Sequence, residues 1–189
     1  KAGGLWVFDN EIAAVTEDAV NGELIMVEDF DGYPMGTGFY NSNSKITIRM
    51  MSRNKDAVID EVFPYVDLAL TDIKAIDPEI HERNTGVNNR VILENLLRIS
   101  FLTKVVVRIP VIPGVNDNSQ EIHNIAEFAR LMQNVDTIHL LPYHSFGENK
   151  YNLLGRQYPM GDTKSIEEAQ MAELKAMVES LGFNCHIGG

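Results

Sequence analysis

Residues 105–117 read Val105-Val106-Val107-Arg108-Ile109-Pro110-Val111-Ile112-Pro113-Gly114-Val115-Asn116-Asp117, and their reading decides the fold. Val105–Val111 is almost continuously apolar, with none of the polar–apolar alternation of a half-wet strand. That is the pattern of a strand buried on both faces of a parallel sheet. The Pro-Gly and Asn-Asp residues that follow stop it and open a loop. Two further runs of the same kind stand on either side, Val66–Thr71 and Thr137–Leu141.

Helical patterns fill the gaps between these runs. Asp77-Pro78 supplies an N-cap and a proline at the first helical position. Arg90–Ser100 places Ile92, Leu96 and Ile99 on one stripe. Asn118-x-x-Glu121 has the form of a capping box, followed by Ile122, Ile125, Ala126 and Ala129 at helical spacing. Ser165-x-x-Glu168 predicts the start of a last helix that buries Met171, Leu174, Val178 and Leu181 and stops at Gly182. Phe183–Ile187 fits a short final strand. Strands alternating with helices imply βαβ crossovers and a parallel sheet. The expected fold class is therefore α/β, a partial parallel (βα) half-barrel of about three βα units.

Before Pro64 the pattern is different. Short strand-like runs at Leu5–Phe8, Leu24–Val27 and Lys45–Met51 alternate with turns at Asn21-Gly22, Asp31-Gly32 and Asn41–Ser44. Lys45–Met50 alternates polar and apolar residues, and Gly36 and Gly38 inside a strand-like stretch predict a bulge or tight bend. The half-barrel is thus preceded by a small, mostly antiparallel β module. The expected division is residues 1–55 for the β module, 56–65 for a junction and 66–189 for the half-barrel.

Bulk composition narrows the function. The 189 residues are 44% hydrophobic and 23% charged, as in a soluble globular protein. No stretch approaches the roughly 18 apolar residues of a membrane span, and no signal peptide is evident, so a cytoplasmic location with no membrane partner is expected. The formal net charge is −11. Residues 1–63 carry 5 basic and 11 acidic side chains, and residues 64–189 carry 11 and 16. Neither part has the basic excess of a nucleic-acid binder, which argues against RNA or DNA as the main partner. A local patch of Lys45, Arg49, Arg53 and Lys55 escapes that test. The single cysteine, Cys185, excludes an internal disulfide and an all-thiolate metal site, and is expected to be a small apolar filler.

In parallel α/β sheets, ligands collect at the C-terminal ends of the strands. Asp72 and Lys74 end the first run on one face, Arg108 lies late in the second, and the third runs through Pro142-Tyr143 to His144. These four ionisable groups are expected to converge on one rim, with cations for a ligand's carboxylate and an acceptor for its amine or ribose. The plainer alternative is structural: an Asp72–Lys74 pair, an arginine with a buried stem, and a histidine satisfied locally. The histidines at 81, 123, 139 and 186 lack metal-ligand spacing and are expected to be surface or packing residues; no catalytic and no metal-binding residue is assigned. Ser145–Lys164 is long for a structureless connection, and is either a functional loop or holds a short helix at Tyr151–Leu154.

The order of these motifs resembles the radical-SAM activating enzymes of glycyl-radical enzymes, the pyruvate formate-lyase activase family. The resemblance covers about two-thirds of the chain, from residue 64 to the end. It rests on Tyr65-Val66-Asp67-Leu68, Thr71-Asp72-Ile73-Lys74, Asn84-Thr85-Gly86-Val87 and Ile92-Leu93-Glu94-Asn95-Leu96. It continues through Val107–Asp117, Leu140-Leu141-Pro142-Tyr143-His144, Gly147, Lys150-Tyr151, Leu154-Gly155, Tyr158 and Ile187-Gly188-Gly189. It implies that Asp72 and Lys74 match the family's aspartate-x-lysine motif, with Asp72 also near the monovalent cation of some members. Arg108 and His144 match residues around bound S-adenosylmethionine. The resemblance also implies a glycyl-radical enzyme as partner and a [4Fe–4S] cofactor. The family's Cys-x3-Cys-x2-Cys loop and its Gly-Gly-Glu-Pro strand end do not occur in this sequence. The expectation is therefore a partial activase, inactive by itself, with weak S-adenosylmethionine binding at most.

The N-terminal stretch resembles something else. Trp6–Ile12, Gly22-Glu23-Leu24, Gly36–Asn41 and Ser44–Arg49 are similar to the PUA-type domain that opens a class of ribosomal RNA cytosine methyltransferases. That resemblance implies an RNA-presenting module as the alternative function. A third alternative is a chimeric or structural protein without a ligand, whose β module simply covers the half-barrel's edge.

Overall fold

A computed structural model of the chain describes residues 4–153, 155 and 157–188, with the backbone alone at Lys150 and Leu153. It contains two four-stranded sheets. The first is antiparallel, built from β1 (Trp6–Phe8), β2 (Leu24–Glu28), β3 (Pro34–Tyr40) and β4 (Ile46–Ser52) in the order β1-β4-β3-β2. A short helix α1 (Ile59–Val62) leads into the second sheet, which is parallel and runs in sequence order. Its strands are β5 (Leu68–Asp72), β6 (Lys104–Val111), β7 (Val135–Pro142) and β8 (Asn184–Ile187). Helices α2 (Pro78–Thr85) and α3 (Arg90–Ser100) join β5 to β6, and α4 (Ser119–Ala129) joins β6 to β7. Between β7 and β8 lie α5 (Glu148–Leu153) and α6 (Glu168–Ser180). The α/β class, the antiparallel module and the three βα units match the sequence expectation. The short helix expected at Tyr151–Leu154 is α5, begun one turn earlier; Leu154 and Gly189 lie outside the described residues.

The parallel sheet departs from expectation in one respect. Helices α3, α4 and α6 cover one face, where Val105, Val107, Ile109, Ile138 and Leu140 are fully buried with Ile122, Ile125, Leu174 and Val178. The opposite face is open: Leu68 and Leu70 are 45% and 52% exposed, and Arg108 and His139 are half-buried. The apolar runs are thus patterned for two covered faces, while the described residues supply a cover for one.

Local chemistry explains most element ends. The Asp77 carboxylate accepts from the N–H groups of Glu79 and Ile80, and Gly86 closes α2 with a φ of +81° that favours glycine. Asn118 caps α4 by accepting from Glu121 N–H, but the second half of the expected capping box is missing. Glu121 is buried, and its carboxylate accepts from Ile76 N–H instead, at 2.5 Å. Ser165 does not cap α6. That helix starts at Glu168 with Glu167 in the cap position and no side-chain cap.

In the antiparallel sheet the two strand glycines have a steric cause. A Cβ on Gly36 would stand 2.1 Å from the Ser52 carbonyl oxygen, and one on Gly38 2.7 Å from that of Arg49. The register slips between Thr37 and Gly38, which is the expected bulge. This sheet leans on the helical layer. Leu24 and Phe39 pack on the common core, and Asn95 Nδ2 of α3 donates to the Gly22 carbonyl at 3.2 Å.

Candidate functional site

Parallel register places four ionisable side chains in one row across the open face. Asp72 pairs with Arg108, Arg108 with His139, and His139 with His186. Side chains at one register level of a parallel sheet point the same way, so the row follows from backbone geometry alone. The Arg108 guanidinium donates through Nε to Asp72 Oδ1 at 2.9 Å, and its Nη2 lies 2.8 Å from the same oxygen. Lys74 Nζ donates to the other oxygen, Asp72 Oδ2, at 3.1 Å. One carboxylate therefore holds two cations at the C-terminal end of β5, with Arg108 reaching it from the middle of β6. All three groups remain partly exposed, so the network is open to exchange with a ligand.

Three of the four expected rim residues are thus brought together. His144 is not joined to them by any hydrogen bond or ion pair among the described residues. It lies five positions beyond the row, since His139 is the residue in register with Arg108. There its Nδ1 accepts from Phe146 N–H at 3.4 Å and its ring tilts against Phe146, with centroids 4.1 Å apart. Behind it, the hydroxyls of Tyr143 and Tyr158 share a hydrogen bond of 2.8 Å, which pushes the Tyr158 phenol up to about 12.

The loop after β5 is held by buried side chains. Asn116 is fully buried, and its Nδ2 donates to the carbonyls of Lys74 and Pro110 at 2.8 and 2.7 Å. Its Oδ1 accepts from Ile112 N–H at 2.7 Å. Asn89 Nδ2 donates to the carbonyls of Ala75 and Ile76. Together with Glu121, these residues fix the backbone on which Lys74 sits.

His139 and His186, expected to be surface or packing residues, pack against each other in the same row as Arg108. Their rings meet edge to face at 5.3 Å on the open side, beside Arg108. Burial, then His186, then Arg108 hold His139 below its ordinary value, so its imidazole is biased toward the neutral form. The two are far apart in sequence and only the β7–β8 register unites them, so no spacing rule would find them. Cys185, by contrast, lies in the core as expected, and burial pushes its thiol up to about 11. Among the described residues no group of three or more His, Cys, Asp or Glu side chains is placed to hold a metal ion. No helix among them is long and apolar enough to cross a membrane.

A family model described as a PUA-like domain matches residues 1–53. The chain is also similar to the 4-hydroxyphenylacetate decarboxylase activating enzyme of Clostridioides difficile (strain 630). The two are 36% identical over 134 residues, which is 69% of this chain and 42% of that protein. Indoleacetate decarboxylase activating enzyme of Tractidigestivibacter scatoligenes is 39% identical over 68% of this chain and 41% of its own length. For pyruvate formate-lyase 1-activating enzyme of Escherichia coli (strain K12) the figures are 36%, 69% and 53%. Among solved structures, a domain of pyruvate-formate lyase-activating enzyme from Bacteroides vulgatus ATCC 8482 superposes with a TM-score of 0.57 at 28% identity. That match covers 69% of this chain and 72% of that one. A radical SAM methyltransferase from Sphaerobacter thermophilus, at 14% identity and a TM-score of 0.53, shares the fold alone. The chain spans about half the length of the curated relatives it matches.

Proposed function

Because two-thirds of this chain is homologous to the activating enzymes of glycyl-radical enzymes, we propose that it carries part of an activase's S-adenosylmethionine site. Its partner would be a glycyl-radical enzyme, and by itself the chain would be inactive. The observation that carries this reading is the Asp72–Arg108–Lys74 network at the end of β5. Both signs of charge fit a zwitterionic amino-acid group: Arg108 and Lys74 for its carboxylate, Asp72 for its ammonium or a ribose hydroxyl. In the family, bound S-adenosylmethionine supplies the radical chemistry. This chain's residues would bind and orient it, with the flat ring of His144 beyond the strand ends on the adenosine side.

A [4Fe–4S] cluster does not fit the residues present. Such a cluster needs several thiolates, and the one cysteine faces the core as a protonated thiol. No step through a cluster is derived. Asp72 already satisfies both cations, so a ligand carboxylate must displace it. The expected dissociation constant is therefore on the order of millimolar, about −4 kcal/mol.

NMR titration of the chain with S-adenosylmethionine tests the reading. The expected shifts fall at the ends of β5, β6 and β7, and Arg108→Ala or His144→Ala removes them without loss of fold. Shifts that lie elsewhere, or variants that bind like the parent chain, defeat it. The PUA-like match over residues 1–53 favours a second reading, an RNA-binding module. Lys45, part of the module's basic run, is held by Asp9 at 2.6 Å, which weakens that run. Sub-micromolar binding to ribosomal RNA fragments at physiological ionic strength would promote the second reading over the first.

A further inference from the structure

A cleft of about 180 Å³ opens where the antiparallel sheet meets the helical layer. One wall carries Phe39, Asn41 and Arg49; the other carries Val87 and Asn88 from the loop before α3 and Ile92 from its first turn. None of the lining residues is acidic, in a chain whose net charge is −11.

The polar groups of these walls are set as donors. Asn41 uses its Oδ1 to accept from Asn43 N–H at 2.9 Å, and Asn88 uses its Oδ1 to accept from Arg90 N–H at 2.9 Å. Those bonds fix each amide's orientation and leave its Nδ2 hydrogens without a hydrogen-bond partner among the described residues. The hydrogen bond of Arg49 runs at 3.4 Å to the Ile46 carbonyl in its own strand, and no carboxylate pairs with it among the described residues. The first turn of α3 adds the same sign. Asn89, in its cap position, turns its side chain inward to Ala75 and Ile76, so Asn88 Oδ1 on Arg90 N–H is the one side-chain acceptor at that end among the described residues. Phe39, Val87 and Ile92 make the remaining surface apolar.

A permanent cation and two amide donors share a recess that offers no carboxylate, which is the chemistry that recognises an oxyanion. The apolar walls would stay wet around a bare ion, so the bound species needs an apolar body. The cleft is below the roughly 300 Å³ at which sites for drug-sized ligands begin, so that body is compact. A long polyanion is opposed by the 11 acidic against 5 basic side chains of residues 1–63. The geometry points to a binding site, at the meeting of the two sheets, for a small ligand bearing a carboxylate on a compact apolar body. It shares no residue with the Asp72 rim, so the two sites stand or fall separately.

The probe is benzoate, titrated into the full chain and followed by ¹H–¹⁵N NMR. Saturable shifts are expected at Gly22, Val87 and Asn88. Benzyl alcohol, the same body without the charge, binds about tenfold more weakly, and Arg49→Gln costs benzoate about tenfold. Asn88→Ala costs less, and inorganic phosphate binds more weakly than benzoate. Both variants alter exposed side chains, and an unchanged urea midpoint confirms that they fold. The assignment is overturned if benzyl alcohol binds as well as benzoate, or if Arg49→Gln changes nothing. It is also overturned if phosphate matches benzoate, or if only single-stranded RNA shifts these resonances.

Discussion

The two sheets are held by different means. In the parallel sheet, six strand residues (Val105, Val107, Ile109, Val111, Ile138 and Leu140) have no exposed surface at all. Each such side chain contributes about 1.5–3 kcal/mol on burial. In the antiparallel sheet the buried positions are largely Gly36, Thr37, Gly38 and Thr47, with Tyr40 and Ile48 the apolar exceptions. Leu5, Trp6, Phe30 and Tyr33 stay mostly exposed. One sheet is stabilised by side-chain burial, the other by close backbone approach and by leaning on α3. The parallel sheet should therefore carry the stability of both.

The hardest blow to that comparison is Leu140→Ala, which should cost about 2–5 kcal/mol in urea unfolding. Trp6, the single tryptophan, lies in β1 and reports on the antiparallel sheet. Its fluorescence transition should move with the circular-dichroism transition, because Leu24 and Phe39 share the core. A Trp6 transition that stays put would show the antiparallel sheet standing independently.

A smaller effect, in the opposite direction along the chain, comes from Gly36→Ala. The added Cβ would overlap the Ser52 carbonyl at 2.1 Å, at a φ of +136° that side chains avoid. The cost is about 1–3 kcal/mol of strain. Hydrogen exchange should quicken in β3 and β4 while β6 and β7 keep their protection. Equal loss in both sheets would mean that the parallel sheet depends on the antiparallel one after all.

The smallest effect belongs to His139. Its folded-state value lies below its ordinary 6.5, so the folded chain binds fewer protons than the unfolded chain in that range. The stability it contributes is present above about pH 6.5 and is lost as pH falls toward the depressed folded value. Urea midpoints between pH 7.5 and 5 should decline on the acid side for the parent chain, and decline less for His139→Gln. Identical slopes would remove His139 from the account of the open face.

Much of this was legible in the residues because local chemistry set it. Asp77-Pro78 capped its helix, the glycines at 36 and 38 marked a bulge, and the runs at β5, β6 and β7 lay within two residues of their predicted bounds. What escaped was decided between distant segments. Glu121 left its expected capping role because its carboxylate is taken by Ile76 N–H, a donor contributed by another loop. His186 joined the open face through a register that only the assembled sheet defines. Asp72 and Arg108 were expected together and are ion-paired, whereas His144 was placed by the turn after β7, which strand periodicity does not describe.

The open face also has a colloidal consequence. Leu68 and Leu70 are about half exposed on an otherwise ordered surface, the kind of patch that draws identical molecules together. At neutral pH the charge of −11 opposes such encounters by mutual repulsion. The isoelectric point, about 4.8, lies on the acid side, where His139 also withdraws its support. Mild acid therefore discharges the molecule and loosens its sheet in the same interval, so self-association and unfolding reinforce each other there, and a slightly alkaline, low-salt solution keeps the chains apart.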